Sequence, residues 1–151
     1  MTIEQAAVHL RKRKVSSLEL LQESLHRIRE QQPRLNAFIT VTEELALTQA
    51  RHADEELARG LDRGPLHGIP YSLKDVFATK GIRTTCGSKI LADHISDRDS
   101  AVYELTTAGA VLVGKSGLHE LAYGVTSNNP HFGTIRNPRN TNCIPGDRPS
   151  P

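Results

Sequence analysis

The sequence predicts an α/β layered domain with its strands in the middle, and three observations carry this. Apolar residues recur at helical spacing through about the first sixty positions. After "DRGPLHGIP", residues 62–70, the spacing changes to that of strands. "AVLVG" at 110–114 is then a continuous apolar run, as in a parallel strand covered on both faces. Helix, strand, helix, strand in this order is the pattern of a layered domain.

Each element has its own signal. Thr2 and Gln5 form a capping box ahead of Ala6, Ala7 and Leu10, which share one helical face. Ser16 and Glu19 form a second box, with Val15 and Leu20 placed as a hydrophobic staple. Leu18, Leu21, Leu25 and Ile28 continue that helix until Pro33 ends the pattern. Residues 1–33 therefore read as a helical arm with no strand inside it. "NAFITV" reads as a short strand, and a third helix spans Thr42 to Leu57 with Gly60 as its C-terminal cap.

In "IPYSLKDVF", residues 69–77, alternation puts Ile69, Tyr71 and Leu73 on one face and Ser72 with Lys74 on the other. Ser100 opens a helix with Ala101, Val102, Leu105 and Ala108 inward, closed by Gly109. A short helix is expected at Leu118 to Ala122, and from Ser127 onward the chain reads as loop.

Bulk properties exclude several classes. A chain of 151 residues with 37% hydrophobic and 24% charged residues fits one globular domain. A net charge of +2 gives no case for nucleic acid, and "RKRK" at 11–14 reads as a solvated helix end that complements the dipole. The longest apolar stretch is far short of the ~20 residues a bilayer requires, and "MTIEQAAVHL" has no signal-peptide pattern. Cys86 and Cys143 lie far apart, so reduced thiols and a cytoplasmic location are the expectation. His119-Glu120 lacks the HExxH spacing and the other histidines are scattered, so neither a metal nor another cofactor is expected.

Lys74 is the residue with the most chemistry in it. A lysine on a buried strand loses hydration, which favours a neutral amine able to activate a hydroxyl. The alternative from local sequence is a lysine at the mouth of the strand, solvated or paired with Asp75.

Three stretches extend this reading: "GPLHGIPYSLKDVFATKGIRTTCGSKIL", "AGAVLVGKSGLHELAYG" and "FGTIRNPRN". Together they resemble the amidase signature family, most closely its bacterial amidases and amidotransferase A subunits. The resemblance runs from about residue 3 to residue 146 in the family's order and spacing. It implies the N-terminal part of the amidase-signature fold, an α/β fold with a mixed β-sheet flanked by helices, in truncated form. Residues 1–146 would be that portion and 147–151 a divergent Pro-rich tail.

The resemblance also implies a role for Lys74, the base of a Ser–cis-Ser–Lys triad. The lysine takes a proton from the cis-serine, which relays it from the nucleophilic serine that attacks the amide carbonyl. Backbone N–H groups of a glycine-rich loop hold the oxyanion. By the same match Ala122, Tyr123, Gly124, Thr126 and Ser127 line the substrate pocket, and Cys86 is a packing residue. The expected partners are a small-molecule amide substrate and, in the amidotransferase case, companion subunits.

The family pattern continues after "IPG" as a glycine–serine run that supplies the cis-serine, with the nucleophile further on. Here Asp147, Arg148, Pro149, Ser150 and Pro151 stand instead, and neither Arg148 nor Pro149 can relay a proton. Ser72 shares a strand face with Lys74, but neighbours i and i+2 on an extended chain stand side by side with no base–nucleophile geometry enforced. Ser88, Ser116, Ser127 and Ser150 have no base that spacing supports and read as turn or capping residues. The expectation is therefore a fragment inactive alone, its change of pattern after Gly146 arising from a frameshift, premature stop or misplaced gene end. Two alternatives stay open. One is half of a split enzyme completed by a second chain, and the other is a non-catalytic binding module.

Overall fold

A computed structural model describes residues 1–145; the expectations for Gly146 to Pro151 lie outside the described residues. Helix α1 spans Ile3–Arg11, α2 Ser17–Leu35, β1 Phe38–Val41 and α3 Glu43–Ala58. Strand β2 (Pro70–Lys74), the one-turn α4 (Glu104–Thr107) and β3 (Val111–Ser116) follow, and then two short strands, β4 (Asn128–Asn129) and β5 (Gly133–Thr134). Among the described residues no helix is long and apolar enough to cross a membrane.

Both capping boxes form. Thr2 Oγ1 accepts from the Gln5 N–H at 3.2 Å while Gln5 Oε1 accepts from the Thr2 N–H at 2.9 Å. Glu19 returns a carboxylate oxygen to the Ser16 N–H at 2.7 Å, and Ser16 Oγ accepts from the Glu19 N–H at 3.1 Å. These reciprocal bonds satisfy backbone donors that the first helical turn leaves open. Val15 and Leu20 pack with Leu57 around Ala6, Leu10 and Ile69, so the staple joins a hydrophobic cluster. Helix α3 ends in a Schellman motif. Gly60, with φ +81°, donates to Leu57 O, and Leu61 donates to Glu56 O at 2.9 Å.

Strands β1, β3 and β2 form a three-stranded sheet in that order. The Val111 N–H bonds Ile69 O and the Asp75 N–H bonds Ser116 O, so β2 runs parallel to β3. The Thr42 N–H reaches Val113 O and the Gly117 N–H reaches Ala37 O, so β1 runs antiparallel to β3. The sheet is mixed, as the resemblance implied. Residues Val111 to Lys115 of β3 are all buried, which accounts for the unbroken apolar run in the sequence.

Four local expectations change. Helix α2 passes through Pro33 to Leu35, because the proline falls in its last turn and only that turn loses a donor; Asn36 N–H still reaches Gln32 O at 2.8 Å. The helix expected from Ser100 is a 3₁₀ turn at Ala101–Tyr103 followed by α4, with Ala101 and Val102, expected inward, both exposed. The helix expected at 118–122 is a 3₁₀ turn, Glu120–Ala122, in which Leu121 and Ala122 are left-handed. The loop after Ser127 holds an antiparallel hairpin, with Asn128 opposite Thr134 and Asn129 opposite Gly133.

The chain divides into two compact units: Met1–Ile28, Thr42–Ser72 and Val102–Gly114 in the first, and Arg29–Val41, Leu73–Ala101 and the chain from Lys115 onward in the second. The first unit is organised around α1, α3 and the fully buried His67. His67 Nδ1 accepts from the Arg63 N–H at 3.2 Å, and Nε2 lies 3.1 Å from Glu56 Oε2. Glu56 also pairs with Arg63, and Arg11 closes on Asp62 at 2.7 Å. A Cβ at Gly109 would overlap the His67 ring, so that position admits glycine alone.

Burial pushes the His67 imidazole below its ordinary value, against the opposing pull of Glu56. The unfolded chain therefore binds this proton more readily than the folded chain. Stability is full above about pH 6.5 and falls as pH drops through that value, by up to about 1.4 kcal/mol per pH unit. Glu19, Glu56 and Asp62 are shifted down by hydrogen bonds and add acid sensitivity only below the ordinary carboxylate range. Urea midpoints at pH 7.5, 6.5 and 5.5 should show the first loss between the last two, and His67→Gln should flatten it.

Candidate functional site

Lys74 ends β2 in the second unit. Leu73 before it is buried, Ser72 is exposed and Lys74 is half-buried, so the expected alternation holds. Among the described residues the Lys74 amine has no hydrogen bond or ion pair. Asp75, the carboxylate closest to it along the chain, is engaged elsewhere.

Asp75 is completely buried. Its Oδ2 accepts from the Thr85 N–H at 2.9 Å and from Thr85 Oγ1 at 2.5 Å. Its Oδ1 has no hydrogen bond but lies 3.6 Å from the Lys115 amine. Lys115 is equally buried; its Nζ donates to Phe77 O at 2.7 Å and to Thr84 Oγ1 at 2.8 Å. Burial lowers the basicity of Lys115, and the Asp75 charge opposes that shift. The fully buried amine is thus Lys115, which sequence reasoning passed over. Its signal was present: a lysine directly after the apolar run "AVLVG".

The Asp75 network reaches the segment assigned to substrate lining. The Cys86 N–H bonds Asp75 O, and Cys86 O accepts from the Leu121 N–H at 2.7 Å. The Gly87 N–H bonds Thr85 Oγ1 at 3.0 Å. Asn129, only 3% exposed, completes the frame. Its Nδ2 donates to Gly87 O at 2.7 Å and Leu118 O at 3.1 Å, and its Oδ1 accepts from the His131 and Phe132 N–H groups at 2.9 Å. Every bonding direction of the amide is used. Gly87 has φ +67°, and a Cβ there would sit 2.6 Å from Asn129 Nδ2, so both turn and close approach require glycine.

Gly124 and Thr126 lie against the His119 ring. Gly124 approaches the ring so closely that a Cβ would lie 2.6 Å from Nδ1, and Thr126 Oγ1 stands 3.4 Å from the same nitrogen. Tyr123 is 91% exposed. Cys86, Leu121, Ala122 and Ser127 all have φ between +52° and +58°. Left-handed backbone at non-glycine residues costs about 1–2 kcal/mol each, and such strain gathers at functional sites. The structure thus ties the neighbour of Lys74 to the turn beside Ala122 through Cys86.

Burial and the Asp75 charge push the Cys86 thiol up, which disfavours a thiolate nucleophile. A cavity of about 420 Å³ is lined by Val76, Thr84, Cys86, Leu91, His94 and Arg98 among others, not by Lys74 or residues 122–127. Among the described residues no three His, Cys, Asp or Glu side chains are placed to hold a metal ion.

Comparison with known proteins places this arrangement. The profile of the family described as Amidase matches residues 19–147. The chain belongs to the amidase signature family. It is 47% identical over 146 residues to the A subunit of the glutamyl-tRNA(Gln) amidotransferase of Methylococcus capsulatus, covering 96% of this chain and 30% of that protein. The corresponding protein of Azotobacter vinelandii is 49% identical over 147 residues, covering 97% and 30%. A solved amidase superposes with a TM-score of 0.87 at 38% identity, over 97% of this chain and 33% of its own. The chain spans about 30% of the length of the curated relatives it matches.

Proposed function

We propose that this chain is the lysine-bearing N-terminal portion of an amide-cleaving enzyme, with Lys74 as general base. The serines of a Ser–cis-Ser–Lys centre would come from polypeptide outside the segment shared with the relatives. By itself the 151-residue chain then lacks a nucleophile and does not cleave amides. The observation that carries this is the Lys74 amine at the end of β2, without a partner among the described residues and beside a carboxylate already held by other groups. Ala122, Tyr123, Gly124, Thr126 and Ser127 form one wall of the pocket for the amide.

Completion by a second polypeptide is the reading favoured next. Unit two exposes Ile90 (93%), Leu121 (61%), Tyr123 (91%) and Val125 (60%), apolar surface suited to burial against another chain. The relatives are components of a tRNA-dependent amidotransferase by name, so the substrate proposed is the side-chain amide of glutamine and the partners proposed are the companion subunits.

The test is reconstitution. The 151-residue chain is mixed with a polypeptide carrying the part of the Methylococcus protein that it does not match, and ammonia release from glutamine is followed. Ammonia should appear only in the mixture and should fall at least about 100-fold with Lys74→Ala, the scale of a lost general base. Full activity in the Lys74→Ala mixture rules out the assigned role. A monodisperse, cooperatively folded chain that binds a partner with no amide cleavage in any mixture would instead make it a binding module.

A further inference from the structure

The Lys74–Asp75 dipeptide joins a cation and an anion at neighbouring positions, and the structure keeps them apart. Asp75 turns inward, where Thr85 takes one oxygen and the Lys115 ammonium faces the other at 3.6 Å. Lys115 is itself fixed by Phe77 O and Thr84 Oγ1. A buried carboxylate needs a countercharge, and among the described residues Lys115 provides it.

We propose that Lys115 is a positioning residue for Lys74: by neutralising Asp75 in the interior, it stops that carboxylate from capturing the Lys74 amine. This rests on the reading of Lys74 as the base. An amine held in an ion pair is kept protonated, and it cannot accept a proton until the pair opens. Lys115 thus leaves Lys74 unpaired with Asp75, without touching substrate. The titratable groups around the pair are Lys74 at the end of β2, Asp75 directly after it, Lys115 on β3 and the Cys86 thiol beside Thr85.

The consequence is readable without catalysis. The 151-residue chain is acylated with acetic anhydride at pH 8, and modification of Lys74 is measured by mass spectrometry against the exposed Lys89 in the same molecule. Lys115→Gln retains a donor for Phe77 O or Thr84 Oγ1 and removes the charge. It should slow Lys74 acylation about three- to tenfold relative to Lys89, as Asp75 turns to Lys74 for its countercharge. The double variant Asp75→Asn/Lys115→Gln removes the competing carboxylate and should restore the wild-type ratio.

A merely structural Lys115 would lower the unfolding midpoint and leave the Lys74 ratio of the folded protein unchanged, and that result overturns the proposal. Should Lys115→Gln fail to fold, Lys115→Met, which removes the charge and keeps the volume, is read the same way: a slowed Lys74 supports the proposal, and an unchanged ratio overturns it. Ammonia release in the reconstituted mixture depends separately on Lys74 as base, so the two ideas fail independently.

Discussion

Lys115→Ala should destabilise the chain by about 3–5 kcal/mol, the cost of leaving a buried charge without its partner. Both groups are inaccessible to solvent, so water cannot take over from the lost ammonium. Phe77 O and Thr84 Oγ1 lose a donor in the same step. A surface pair such as Arg27–Glu23, with both side chains more than half exposed, gives the control; Arg27→Ala should change stability by less than about 1 kcal/mol. Urea midpoints of the two variants measured side by side check the contrast. An equal, small effect in both would show that the interior around Asp75 is hydrated.

The second large effect is expected at Asn129. Asn129→Asp keeps the shape but replaces two N–H donors with a carboxylate aimed at Gly87 O and Leu118 O. Repulsion and burial together should cost about 3–5 kcal/mol at neutral pH. The introduced acid is destabilised when charged, so its folded pKa rises above the unfolded value. The penalty is therefore present at neutral pH and is relieved as pH falls through the raised pKa. Midpoints of the variant and wild type should converge towards pH 4. A constant difference from pH 7 to pH 4 would contradict the geometry given for this amide.

Much of the fold was legible because its signals are local. The Thr2/Gln5 and Ser16/Glu19 boxes need partners three residues apart, and the helix-closing Gly60 needs only its own backbone. The apolar run of β3 announces burial on both faces. What stayed hidden depends on distant partners. Asn129 bonds Gly87 across 42 positions, and nothing in "SNNPHFG" distinguishes that asparagine from an ordinary turn residue. The β4–β5 hairpin has strands of two residues each, too short for alternation to register.

The candidate site divides in the same way. Lys74 stood out on strand alternation and on the joint pattern around it. The local sequence offered Asp75 as its partner, yet the carboxylate goes to Lys115, 40 positions on, because folding brings β3 alongside β2. The left-handed Leu121 and Ala122 could not be anticipated either, since leucine and alanine carry no preference for that conformation. Their strain is held by tertiary bonds, among them the one from Leu121 to Cys86 O.

On the proposed reading, Lys74 is a base without its serine partners and does not open an amide. The direct measurement treats the purified 151-residue chain, with no other polypeptide present, with a fluorophosphonate and with glutamine. Intact mass should show no serine adduct, and no ammonia should accumulate above the buffer blank. A stoichiometric adduct on any serine of the chain, or ammonia release that Lys74→Ala abolishes, would contradict it.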